Sequence, residues 1–172
     1  MTARVTANEW TPLPGSLPVS VEAGKVYVIP TRSVGPRDDD GAIELCYPDN
    51  VRYLPKAARA NGLPVEFSLP EGRRQYLQEF STDPEMWSLG LCLLTMASDW
   101  LILTVSLYIA RRSEQQGWST DEAESLPLRV WVAETETGKT YQIEGSGSDV
   151  LEALKELHRG AGAEEKRLDG DR

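Results

Sequence analysis

The chain has 172 residues, 40% of them hydrophobic, and a formal net charge of −9. That length suits one domain, or one with a small appendage, and supports a real core. The basic residues come as scattered pairs, Arg73–Arg74 and Arg111–Arg112. This balance argues against a nucleic-acid partner and against an anionic membrane surface, both of which need clustered Lys and Arg.

Residues 1–20 are rich in Pro, Thr and Ser and read as an extended arm with Trp10 as an anchor. They contain no apolar run of the kind a secretory signal needs, which points to the cytoplasm. Lys25–Pro30, "KVYVIP", is β-branched and reads as a strand, and Thr31–Gly41 is a polar loop. Ala42–Tyr47 alternates Ile43, Leu45 and Tyr47 with Glu44 and Cys46, as a half-buried strand does. Pro55 opens a short helix through "KAARA", closed by Asn61–Gly62, and "LPVEFS" resumes an extended pattern. Strand, helix, strand at this spacing suggests a crossover between parallel neighbours. In "EGRRQYLQEF" the spacing of Tyr76, Leu77 and Phe80 predicts a short amphipathic helix.

Residues 81–84 allow a sub-boundary, with Asp83 as N-cap and Pro84 as first residue of a long helix. That helix, Met86–Ala110, is apolar nearly all round and ends at Arg111–Arg112. "GWSTDEAESLP" reads as a linker. "LRVWVAETETGKTYQIEG" reads as a hairpin, with Leu128, Val130 and Val132 meeting Tyr141 and Ile143 across a turn near Thr137–Gly138. A helix follows, with Asp149 and Glu152 as a capping box and Val150, Leu151, Leu154 and Leu157 as its apolar stripe. Residues 159–172 read as a disordered charged tail. The expected architecture is one α+β domain over 21–158: a small mixed sheet, a crossover helix, a long central apolar helix and a C-terminal ββα unit.

The apolar helix carries the functional question. At about 1.5 Å per residue, Met86–Ala110 exceeds a hydrocarbon core of roughly 30 Å. Its Leu, Ile and Val residues favour insertion by roughly 3–6 kcal/mol in total, and Asp99 opposes it by about 2.5–3.5 kcal/mol. Hydropathy alone therefore leaves a buried helix and a membrane span both open. At about 100° per residue, Ser88, Thr95, Asp99 and Ser106 share one stripe, with Trp100 beside it. These five residues are the candidate interaction site. A buried Asp99 would need a polar neighbour, from its own fold or from a partner helix.

Other motifs point away from catalysis. Ala133–Thr140, "AETETGKT", lacks the first glycine of a phosphate-binding loop and runs into a strand pattern, so Lys139 reads as a turn charge. Glu144–Asp149 precedes a helix, but its carboxylates repel an anion. Arg37–Gly41, "RDDDG", does not alternate its ligands as a calcium loop does. His158 is the sole histidine, placed near a helix end, and nothing sets a nucleophile beside it. Cys46 and Cys92 stand outside metal or redox spacings and read as buried free thiols. No residue is assigned to catalysis, a cofactor or a metal. A carboxylate-dependent enzyme stays open only because Asp and Glu are plentiful.

The C-terminal half, an apolar helix ending "ARR", a linker, the hairpin "VWVAETETGKTYQIEG" and the helix "DVLEALKEL", resembles the effector-associated constant component proteins of bacterial conflict systems. The resemblance covers roughly Met86–His158 and rests on element order. It implies an adaptor and carries over no functional residues. The expected function is a non-enzymatic accessory component that binds another protein subunit or itself. The alternative is a single-pass inner-membrane effector that oligomerises through residues 86–110.

Overall fold

The computed structural model describes residues 3–7, 9–34, 44–77, 87–94, 99–125 and 127–169. Among the described residues, nine strands fall into two sheets. The larger uses β1 (Arg4–Ala7), β2 (Val26–Val28), β5 (Val65–Phe67), β7 (Trp87–Leu93), β8 (Pro127–Glu134) and β9 (Thr140–Ser146), in the order β1-β9-β8-β7-β2-β5. The smaller uses β3 (Arg32–Val34), β4 (Glu44–Pro48) and β6 (Gln75–Leu77), in the order β3-β4-β6. The described residues also form four α-helices: α1 (Leu54–Ala60), α2 (Asp99–Gln116), α3 (Thr120–Ser125) and α4 (Gly147–Asp169). The protein is mixed α+β.

The expected long helix is a strand followed by a helix. In β7, Leu89, Leu91 and Leu93 join the main core, while Ser88, Gly90 and Cys92 lie on the other face. The strand pairs in parallel with β8 and antiparallel with β2. A strand buried between two neighbours and under both faces is nearly continuous in apolar residues, so its run merges with that of the helix behind it. Asp99 is therefore the first residue of α2, where a carboxylate complements the helix dipole. The N-cap proposed at Asp83 lies outside the described residues. Among the described residues, no helix is long and apolar enough to cross a membrane.

Parallel partners need long connections. α2 and α3 carry the chain from β7 to β8, while β3, β4 and α1 lie between β2 and β5. The crossover expected around α1 does not join neighbours, because β4 and β5 belong to different sheets. Tyr76 and Leu77, expected on a helix, lie in β6, which follows a single 3-10 turn at Glu71–Arg73. The expected linker holds α3. Its start is a reciprocal cap, with the Glu122 amide bonded to Ser119 Oγ and the Ser119 amide to Glu122 Oε2, each at 3.2 Å.

β8 and β9 pair antiparallel, Val130 opposite Ile143 and Val132 opposite Tyr141, around a turn in which Gly138 has φ +69°. Gly138 meets the left-handed requirement of that turn without a Cβ penalty. These strands are not a separate ββα unit. They lie inside the six-stranded sheet, between β7 and β1. The cap of α4 is Ser146, whose Oγ accepts from the Asp149 amide at 3.2 Å, rather than the expected Asp149–Glu152 box. α4 continues to Asp169, through much of the expected tail. At the other terminus, Arg4–Ala7 of the expected arm forms the edge strand β1 on β9.

The core lies on one face of the large sheet. Val26, Val28, Val65, Leu89, Leu91, Leu128, Val130, Val132 and Ile143 pack against Ala58, Leu101, Val105, Tyr108, Ala123, Val150 and Leu154 of the four helices. The opposite face has a smaller cluster, Tyr27, Ile29, Cys92 and Ala133, roofed by Trp10 and Val21.

Candidate interaction surface

The fold divides the described members of the expected site between two elements, Ser88 in β7 and Asp99, Trp100 and Ser106 in α2. Ser88 is buried in β7 opposite Arg129 of β8. Thr95 lies outside the described residues. Asp99 is not buried: its side chain is 78% exposed, and Oδ1 accepts from His158 Nε2 at 3.0 Å. Trp100 packs half-buried against the core, and its carbonyl accepts from Thr104 Oγ1 at 2.6 Å. Ser106 is half-buried further along α2. A strand and a helix replace the single rod, so Ser88 leaves the stripe, while Asp99 and Ser106 still share one side of α2. His158 stands within α4 rather than at its end, and its partner is Asp99. A surface pair of this kind contributes roughly 0–1 kcal/mol.

Both thiols are free and buried. Burial pushes Cys92 up to about 11. Burial, with Glu44 nearby, also raises Cys46. Neither is poised as a thiolate nucleophile near neutral pH. Among the described residues, no group of three or more His, Cys, Asp or Glu could hold a metal ion. "RDDDG" falls outside the described residues. Lys139 sits in the β8–β9 turn, with no helix following it to bind phosphate.

The organised polar surface lies instead on the sheet face away from the helices, at the β8-β9-β1 end. Strand alternation sends Arg129 and Trp131 of β8, Gln142 and Glu144 of β9, and Arg4 and Thr6 of β1 to this face, in cross-strand register. Arg129 donates through both Nε and Nη2 to Glu144 Oε2, each at 3.2 Å, and Gln142 Nε2 approaches the same oxygen at 3.4 Å. Trp131 Nε1 donates to Gln142 Oε1 at 3.2 Å, and the Arg129 guanidinium lies 5.5 Å from the Trp131 ring centroid. Each side chain is thus fixed by its cross-strand neighbour.

Trp10 closes one side of this face. Its Nε1 donates to the Tyr141 carbonyl at 2.7 Å, its carbonyl accepts from Thr140 Oγ1 at 2.9 Å, and its ring lies 6.5 Å from that of Trp131. Beyond it, Arg4, Thr6, Glu9, Gln142 and Glu144 line a recess of about 130 Å³. That volume admits a few ordered waters or one polar side chain. The sequence places the hairpin and its inward residues, with no role assigned to the outward ones. The signal was there, since Arg129 and Trp131 alternate with Val130 and Val132, and Gln142 and Glu144 flank Ile143. No protein-family model matches this chain, and neither a curated protein nor a solved structure matches it.

Proposed function

We propose that this protein is a non-enzymatic interaction module whose working surface is the helix-free face of the large sheet. The observation that carries the reading is the ladder Arg129–Glu144–Gln142–Trp131, preorganised by mutual bonds and bordered by Trp10. Rigid aromatic and arginine side chains are the usual energetic centres of protein interfaces, because they bury area at little entropic cost. The small recess beside them accepts one side chain of a partner, rather than a substrate that must be enclosed. An accessory role in a bacterial conflict system follows from the resemblance of the C-terminal half, with the partner a second subunit or another copy of the chain.

The test uses Trp131→Ser, which removes the centre of the ladder from a half-buried site. Wild-type protein purified from its own cells should carry a stoichiometric partner, or self-associate in sedimentation velocity. Trp131→Ser should weaken that assembly by roughly tenfold or more, equivalent to about 1.4 kcal/mol, with its far-UV circular dichroism unchanged. A wild-type chain that stays monomeric and partnerless, or an assembly indifferent to Trp131→Ser, defeats this reading.

A further inference from the structure

At the other end of the sheet order, around β5, β6 and α1, the fold builds a second feature. Tyr47, Phe67 and Tyr76 from three different strands form an aromatic trio, with centroids 5.0, 5.9 and 6.1 Å apart. Two arginines lie on it: Arg52 Cζ is 4.5 Å from the Tyr76 centroid, and Arg74 Cζ is 4.6 Å from that of Phe67. Arg74 is the fixed member, donating from Nε to the Leu69 carbonyl at 2.8 Å. Arg52 is the available one, with a side chain 46% exposed and a pairing to Asp49 as long as 3.8 Å.

The surroundings carry more basic than acidic side chains, with Glu71 exposed in the turn before Arg74. Lys56 and Arg59 stand exposed on α1, whose Leu54, Pro55 and Ala58 are buried, and Arg73 is exposed beside Arg74. Among the described residues, Lys56, Arg59 and Arg73 form no ion pair. Glu66, the acid on β5, is already bonded to Lys25 at 3.2 Å. Residues 52–59 and 73–74, apart in sequence, thus carry basic side chains on two segments that meet at the aromatic trio through Arg52 and Arg74, on a chain of net charge −9.

A guanidinium stacked on a ring uses its face and keeps its edge N–H groups for two-point bonding to a carboxylate. Stacking also restrains the side chain beforehand, so binding costs less entropy. We propose that this platform, Arg52, Arg74, Phe67 and Tyr76 with Lys56 and Arg73 at its rim, docks an acidic segment of a partner protein. Charge complementarity selects the occupant. A nucleic-acid strand carries charge past the platform and meets repulsion from the acidic remainder of the chain, whereas a short Asp/Glu run ends within reach of the arginines. The inference is independent of the sheet-face surface, which lies on the opposite side of the large sheet.

The experiment is fluorescence anisotropy of a short labelled Asp/Glu peptide against the full chain at low salt. A matched Asn/Gln peptide and a short oligothymidylate serve as the other probes. Saturable binding of the acidic peptide is expected, weakened roughly tenfold or more by Arg52→Gln. The double variant Lys56→Glu with Arg73→Glu should weaken it similarly, and its two exposed, unpaired positions keep the test sound if Arg52→Gln misfolds. Lys155→Glu, exposed on α4, should leave binding intact. Absence of saturable binding, an equal loss in Lys155→Glu, or tighter binding of the oligothymidylate overturns the proposal.

Discussion

Gly90→Ala is expected to destabilise the protein by about 1–3 kcal/mol, the usual range for overfilling a packed site. A Cβ built on Gly90 lies 2.6 Å from Thr31 Cγ2, 2.8 Å from Ile29 Cγ1 and 3.2 Å from the Ile29 carbonyl oxygen. Ile29 is 2% exposed, and its amide donates to the Gly90 carbonyl at 3.0 Å, so the neighbour has little room to withdraw. The sign of the change is the useful part. In an exposed helix interior the same substitution stabilises by about 1 kcal/mol, because alanine is the better helix former. Urea unfolding of Gly90→Ala therefore separates a strand at this position from the helix that the sequence suggests. A raised midpoint would count against the strand.

Leu91→Ala is expected to cost about 2–5 kcal/mol, a large share of the roughly 5–15 kcal/mol that holds a typical domain. Leu91 is fully buried, opposite Val28 on one side and Val132 on the other, so its removal opens a cavity at the centre of the sheet. Leu103, on α2 within the same apolar run of sequence, is 46% exposed. Leu103→Ala should stay within about 0.5 kcal/mol. Denaturant titrations of both variants should differ by at least 1.5 kcal/mol. Equal losses would mean that the two leucines share one kind of environment, which the β7–α2 arrangement does not allow.

How much of this was readable beforehand depended on whether an element had one buried face or two. The β8–β9 hairpin has its core on one side, so Val130 and Val132 alternate with polar residues and their partners Ile143 and Tyr141 could be named. The short helix at Leu54–Ala60 announced itself through Pro55 and Asn61–Gly62. β7 is covered on both faces, and its polar side chain Ser88 is buried as well. Its one cue is size: Leu89, Leu91 and Leu93 alternate with Ser88, Gly90 and Cys92, large toward the helices and small toward Ile29 and Thr31. That cue was outweighed by the continuous hydropathy of 86–110. The start of α3 was written out as Ser119 and Glu122, a capping spacing hidden inside what looked like a linker.

The candidate surfaces were less accessible still, for a physical reason. A ladder such as Arg129–Glu144 and Trp131–Gln142 exists only through strand register. The Arg52–Tyr76 and Arg74–Phe67 stacks join residues from β5, β6, the turn before α1 and the end of the Glu71–Arg73 turn. In the sequence Arg73–Arg74 reads only as a scattered basic pair, and Arg52 stands apart from it. Asp99 drew attention because it stood inside an apolar run, yet it marks the start of a helix and faces solvent.

Both surfaces depend on β7 occupying the middle of the large sheet, since it fixes β8 and β9 on one side and β2 and β5 on the other. Nuclear magnetic resonance of Trp87–Leu93 tests this directly. Extended-chain backbone shifts are expected there, with cross-strand contacts from Leu89 to Val130 and from Leu91 to Val28, and helical shifts from Asp99 to Gln116. Helical shifts throughout Trp87–Leu93, without contacts to Val130 or Val28, would contradict the fold and both surfaces built on it.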